Sequence, residues 1–403
     1  MPSHIPVGEQ LGAALRTRVL YIPFMYGMYQ RSNREFSRHM KVDPNTRRLA
    51  ALLVLVLCPA APALAVDSLT VVSWGGDYTR SQVEAHHKPF TARTGIRIRS
   101  ENHEGGLAGI RAQVRSGEVT WDVVDLVLSD IVRGCEEGLL EPLDLDLLPP
   151  APNGRAARDD FVAGTLHNCG VGSVIWSTIF AYDDTRFPGA KPARIADFFD
   201  TVRFPGKRGL RRTPRGNLEF ALMADGVPPG KVYEVLATEE GIDRAFAKLD
   251  TIEDDIVWWI AGAQPPQLLA DGEVVMTTAY NGRIFNAQVQ NREPFVIVWD
   301  GQIWDIDLWA IPKGARNRDA AMAFISFATD TQRLADQAAW ISYGPVRQSS
   351  IPLIGSHAEA GIPMRALIPT APENFRTAVQ SDFEFWADYQ EELKKRFDAW
   401  VSE

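Results

Sequence analysis

The chain is poor in the residues that carry common metal and nucleophile chemistry. Three cysteines and seven histidines are spread over 403 residues. No Cys-x-x-Cys pair, His-Glu-x-x-His motif or Gly-x-Ser-x-Gly elbow occurs, which removes the usual starting points for zinc and serine chemistry. The adjacent His86 and His87 point apart on a helix, whereas metal pairs sit at i and i+3 or i+4; they read as surface residues. Basic charge is also short. The formal net charge is −9, and Lys and Arg are not gathered into runs, so a nucleic acid would find no electrostatic footprint. No segment is apolar for long enough to span a bilayer permanently. Gly75-Gly76 lacks both the Lys-Ser/Thr of a phosphate loop and the spacing of a dinucleotide turn. Glu253-Asp254-Asp255 reads as a solvated face. Nothing forms a catalytic constellation, and nothing calls for a cofactor or a metal.

What is present begins with an export signal set inside the sequence. Met40 is followed by Lys41, Arg47 and Arg48, an apolar run over 49–57, and Ala63-Leu64-Ala65, the small-x-small pattern that signal peptidase cleaves. Residues 1–39 then read as an upstream extension or mis-start and 40–65 as the signal peptide, cleaved near Ala65 to release a periplasmic protein. Cys58 lies in the leader behind Leu55-Val56-Leu57, without the small residue a lipidation site wants. Cys135 and Cys169 remain, an even pair in an oxidising compartment. A disulfide is the economical reading, with two buried free thiols as its alternative.

The mature length suits two domains. Strand, glycine turn and helix follow one another from Leu69 through Phe90. Ile96–Arg99 and Trp121–Leu128 read as strands around a helix at Ala108–Ser116, an alternation that implies α/β layers. The apolar run Val171–Tyr182 is long enough to pass from one lobe into another. Further on, Arg208–Arg212, Val274–Ala279, Phe295–Val298 and Leu308–Ile311 read as strands. Ile195–Phe199, before them, and Leu218–Ala224 and Gly241–Leu249, between them, read as helices. Ser381 is an N-cap candidate for a last helix whose stripe of Phe385, Trp386, Tyr389, Leu393, Phe397 and Trp400 is core material.

Two short segments set opposite charges near aromatic residues. Tyr280-Asn281-Gly282-Arg283 offers a guanidinium, a planar fork matched to a carboxylate. Trp304-Asp305-Ile306-Asp307 offers carboxylates that accept from an ammonium. Facing one cleft, they favour a small zwitterion over a diamine.

The order of several motifs resembles the periplasmic solute-binding proteins of ABC importers, in their spermidine/putrescine-binding branch with 4-aminobutyrate binders as a neighbouring branch. The pieces are Val72-Ser73-Trp74-Gly75-Gly76-Asp77-Tyr78, Trp121-Asp122-Val123-Val124, Gly138-Leu139-Leu140-Glu141-Pro142-Leu143, Phe204-Pro205-Gly206-Lys207, Tyr280-Asn281-Gly282, Ala310-Ile311-Pro312-Lys313-Gly314 and Ser342-Tyr343-Gly344-Pro345. The resemblance implies an α/β, two-lobed type II fold hinged by strand crossovers, with lobe 1 over 66–177 and 307–345 and lobe 2 over 178–306 and 346–403. It places ligand-binding residues at Trp74, Asp77, Ser129, Tyr280, Asp305, Asp307 and Tyr343. The chain departs from the polyamine pattern by carrying Arg283 just after the Tyr280 aromatic, where a second carboxylate can stand, and Asp305 where an aromatic is common. Arg212, beside Arg211, is a second cation within reach.

These readings converge on an exported receptor, not an enzyme. It would capture a small zwitterionic amine such as 4-aminobutyrate and pass it to an inner-membrane ABC permease, as a monomer. Putrescine or spermidine is the alternative ligand class, and a secreted enzyme on the same fold is the alternative of another kind. Arg283 either faces the ligand or pairs internally with an acid such as Asp77 or Asp305.

Overall fold

A computed structural model describes residues 66–402. The upstream extension, the leader, its cleavage site and Cys58 lie outside the described residues. None of the described helices is long and apolar enough to cross a membrane.

Ten strands form one mixed sheet among the described residues. They are β1 (Ser68–Ser73), β2 (Arg97–Asn102), β3 (Val123–Val127), β4 (Leu166–His167), β5 (Gly170–Asp183), β6 (Arg208–Arg211), β7 (Ile256–Trp259), β8 (Met276–Tyr280), β9 (Phe295–Ala310) and β10 (Val379–Gln380). The order is β2-β1-β3-β9-β5-β8-β6-β7, with β10 added to β9 and β4 to β5. β2, β1 and β3 run parallel, as do β8, β6 and β7. Between these parallel groups lie the antiparallel strands β9 and β5, of 16 and 14 residues. Within the first group β1 and β3 are buried and apolar, whereas the edge strand β2 is polar and exposed.

The sequence reading separated Phe295–Val298 from Leu308–Ile311, but these are the two ends of the single strand β9. The apolar pattern breaks at Asp300-Gly301-Gln302, yet the backbone continues because Gln302 is buried with partners. Its Oε1 accepts from Ser177 Oγ at 2.6 Å, and its Nε2 donates to the carbonyls of Asn374 (2.6 Å) and Pro369 (3.1 Å). A polar residue thus sits in a core strand without an orphaned group.

Burial gathers into two main cores. One holds Val71, Val72, Val124, Leu126, Ile306, Leu308, Trp309 and Phe324; the other holds Phe180, Phe198, Leu218, Phe246, Trp386 and Phe397. The last helix, Phe383–Trp400, lays its aromatic stripe into the second core, where Trp258 packs on Phe397 and Trp400. Its N-cap is Asp382, accepting from Phe385 N at 3.0 Å, and not Ser381, whose hydroxyl accepts from Arg215 instead. The disulfide Cys135–Cys169 is present, with the Cα atoms 5.8 Å apart.

His86 and His87 are buried, contrary to the surface reading. A π-helical turn at Val83–His87 brings both adjacent rings inward, an arrangement that regular helical spacing does not anticipate. His86 Nε2 lies 3.1 Å from Gln337 Oε1, and His87 packs on Phe324. Burial keeps both neutral, with pKa values lowered to about 4 for His86 and about 3 for His87.

Candidate functional site

The central strands deliver carboxylates to one place. Asp305 and Asp307 alternate with the core residues Trp304, Ile306 and Leu308 along β9, so the two acids share the opposite face. Asp307 pairs in register with Val127 of β3, and Asp125 with Trp309, which sets Asp125 diagonally across the ladder from Asp307. Asp307 is buried and accepts from Trp176 Nε1 at 2.9 Å. Burial pushes its pKa well up, the charge of Asp125 adds to that, and the Trp176 donor opposes it. Asp125 is fully buried and accepts from Gln82 Nε2 (2.6 Å), Tyr78 Oη (2.7 Å) and Ser173 Oγ (3.3 Å). Even so, burial raises it to about 7. A cation arriving beside this pair would lower both values, since it favours the ionised acids.

Aromatic rings wall this acidic corner. Tyr78, Val174 and Ile341 form a small cluster against which Trp74, Trp176 and Tyr343 pack. Trp176 meets Tyr280 edge to face at 5.3 Å between centroids, and Tyr78 meets Tyr343 at 5.5 Å. Trp74 follows β1 and stacks on His103 at 4.5 Å. His103 accepts from Gly105 N on Nδ1 (3.2 Å), so its Nε2 carries the proton and donates to the Asp125 carbonyl (2.8 Å). The indole Nε1 of Trp74 is buried without a partner among the described residues. A buried orphan donor at a cleft wall is uncommon, and a ligand acceptor would satisfy it.

The other pole is Arg283, in the helix Asn281–Asn286 that continues β8. A Cβ placed on Gly76 would lie 3.1 Å from Arg283 Nη1, and one on Gly262 would lie 4.0 Å from its Nε. The guanidinium therefore sits between the glycine turn after β1 and the loop after β7. Gly76 has φ +59°, a conformation that suits glycine and leaves room for the arginine. The Tyr343 ring packs as closely on Gly282, where an added Cβ would lie 2.7 Å away. Asn281 fixes this corner: it accepts from Ser177 N (3.1 Å) and donates to the Ser342 carbonyl (2.5 Å).

Neither internal partner foreseen for Arg283 is free. Asp77 accepts from Asn286 Nδ2 (2.7 Å) and Gln290 Nε2 (3.2 Å), while Asp305 accepts from Arg215 Nη2 (2.8 Å). Arg283 makes no ion pair among the described residues. The phenol of Tyr343 lies in the field of both poles: burial raises its pKa, Arg283 lowers it and Asp307 raises it. Tyr280 is likewise raised by burial, with Arg211, Arg215 and Arg283 opposing and Asp307 adding.

Of the residues singled out in the sequence, Trp74, Tyr280, Arg283, Asp307 and Tyr343 come together. Asp305 is close by but already neutralised by Arg215. Asp77 is spent on Asn286 and Gln290, tying the helix after β1 to the segment after β8. Ser129 stands half-buried in the first turn of the helix Leu128–Glu136. Arg212 is exposed just past the end of β6, and it is Arg211 that lies over Trp259 (5.8 Å) and Tyr280 (5.7 Å). Adjacent residues of an extended chain point to opposite faces, so only one could reach this wall. Sequence reasoning missed Asp125, Trp176 and Arg215, and of the neighbours Arg211 and Arg212 it favoured Arg212. Trp176 and Asp125 were hidden inside apolar strands, although a lone acid in such a run is a signal in itself.

Comparison with known proteins shows the family and the fold. The model for bacterial extracellular solute-binding proteins matches residues 85–363. A gamma-aminobutyric acid-binding protein of Pseudomonas aeruginosa is 44% identical over 352 residues, covering 87% of this chain and 96% of that one. Among solved structures, the periplasmic binding protein MotA of A. tumefaciens B6, in complex with glucopine, is 31% identical with a TM-score of 0.71, covering 83% of this chain and 99% of that one. A GABA receptor is 33% identical with a TM-score of 0.69, covering 83% and 97%. This chain belongs to the bacterial extracellular solute-binding proteins, and its fold is the mixed α/β type II fold of periplasmic binding proteins.

Proposed function

We propose that the protein is an exported receptor for a small zwitterionic amino acid, with 4-aminobutyrate as the leading ligand. The observation that carries this reading is the pair of opposite, separately anchored charges: Asp307 held by Trp176, and Arg283 left without an internal acid. The ammonium would bind at Asp307 and the carboxylate at Arg283. The rings of Trp74 and Tyr280 would cover the methylene chain, with Tyr343 and Ser129 supplying hydrogen bonds. Arg212 drops out of the carboxylate site in favour of Arg283. A diamine fits poorly, because its second ammonium would meet a guanidinium.

Closure on the ligand would be a population shift between lobes that hinge about β5 and β9. We assign 66–177 with 307–345 to lobe 1 and 178–306 with 346–403 to lobe 2. The two apolar cores support this division, the first drawing mainly on residues 69–175 and 304–346 and the second on 180–303 and 379–400. The Asp77 contacts with Asn286 and Gln290 then bridge the lobes. Delivery to an ABC permease, action as a monomer without turnover, and cleavage near Ala65 complete the proposal; family membership supports the first and the export.

A calorimetric panel of 4-aminobutyrate, 5-aminovalerate, putrescine, spermidine and betaine tests the reading. An amino acid should bind with micromolar or better affinity, worth roughly 8 kcal/mol. Binding of diamines with no response to amino acids would sink it.

A further inference from the structure

Tyr280 also lines a pocket with Trp176, Arg211, Arg215, Trp259 and Asp305. Its charges do not cancel. Arg215 is matched by Asp305 at 2.8 Å, while Arg211 makes no ion pair among the described residues and is held only by the faces of Trp259 and Tyr280. One guanidinium is therefore in excess. A second, independent observation points the same way. Trp259 is 1% exposed, and its indole Nε1 has no hydrogen-bond partner among the described residues. A buried donor left without a partner is costly, so an acceptor is expected to meet it. A guanidinium without a counter-acid, braced on aromatic faces in a pocket that Trp259 also lines, is a fitting partner for a carboxylate.

The pocket shares its Trp176 wall with the acidic end of the ligand cleft. Trp176 lines the pocket and also donates to Asp307, and Asp305 stands two residues from Asp307. We propose that Arg211 and Trp259, with Arg215, form a second anion-accepting subsite that takes a carboxylate borne on the ligand's nitrogen or its amine-bearing carbon. The receptor would then accept amino dicarboxylates as well as the simple zwitterion. This rests on the assignment of the ammonium to Asp307 and of the distal carboxylate to Arg283.

The test is calorimetry with 4-aminobutyrate, with glutamate (the same molecule with a carboxylate on the amine-bearing carbon) and with N-(carboxymethyl)-4-aminobutyrate. The wild type should bind at least one dicarboxylate within about tenfold of 4-aminobutyrate or tighter. Arg211→Ala, an exposed position that does not threaten folding, should weaken that dicarboxylate at least about tenfold more than it weakens 4-aminobutyrate. Trp259→Phe should show the same preference more weakly. The subsite is overturned if the wild type rejects both dicarboxylates by more than about a hundredfold, or if Arg211→Ala weakens all ligands equally or none. Failure of 4-aminobutyrate to bind, with dicarboxylates binding in an Arg211-dependent way, would instead sink the reading of the primary ligand and leave the subsite standing.

Discussion

The two ends of the cleft are built on opposite plans. At the acidic end, Asp307 and Asp125 are buried and already supplied with donors from Trp176, Tyr78, Gln82 and Ser173. At the basic end, Arg283 makes no ion pair among the described residues. The first end stores charge-accepting capacity as raised carboxylate pKa values, whereas the second leaves donors open. A ligand that brings a cation to one and an anion to the other corrects both, and a ligand with two like charges corrects only one. Ligand asymmetry is thus written into the site as an asymmetry of partners.

The largest effect should come from removing the charge at the buried end. Asp307→Asn keeps the shape and the Trp176 contact but should lower affinity for the zwitterion about a hundredfold, close to 3 kcal/mol, as truncation of one member of a buried pair does; calorimetry reads this directly. Arg283→Ala should cost about thirtyfold for a carboxylate-bearing ligand, because the more open guanidinium competes with water for its partner. Equal losses for an amine lacking the carboxylate would break the proposed division of labour. Trp74→Phe, which keeps a ring and deletes the orphan donor, should cost about fivefold, one modest hydrogen bond.

The smallest effect is in protons. Both acids have raised pKa values in the free protein, so they hold protons above the ordinary carboxylate range near 3.8 and, for Asp125, up to about 7. An arriving ammonium favours the ionised form, so binding should release a fraction of a proton per ligand within that window and affinity should rise with pH across it. Titrations in buffers of different ionisation heat would detect the release. The same raised values work against the unliganded fold: their contribution to stability is present below the unfolded carboxylate pKa and is lost as pH rises through the folded one. His86 and His87, lowered to about 4 and 3, act oppositely, losing stability as pH falls below their unfolded value near 6.5. A thermal melt of Asp125→Asn against the wild type across pH 4 to 8 separates the two contributions.

Much of this was legible in the sequence, because it depends on local rules. The glycine turn after β1, the helix Ala108–Ser116 and the aromatic stripe of the last helix follow from turn chemistry and periodicity. The charged couplet at Arg283 and Asp307 was visible too. What was not legible depends on long-range register. The unity of β9 rests on Gln302 finding carbonyls some 70 residues downstream. The inward turn of His86 and His87 rests on a π-helical segment. Arg215 finds Asp305 across 90 residues of chain, a pairing that no spacing rule predicts. That one ion pair decides which arginines stay open, which is why the sequence alone left the partner of Arg283 undetermined.

The central claim is that Arg283 sets the sign of the ligand's far end. Calorimetric titration of Arg283→Glu with 4-aminobutyrate and with putrescine tests it most directly. The account predicts a reversal, with the amino acid losing at least about a hundredfold and the diamine becoming the tighter ligand. An unchanged preference for the amino acid would contradict it.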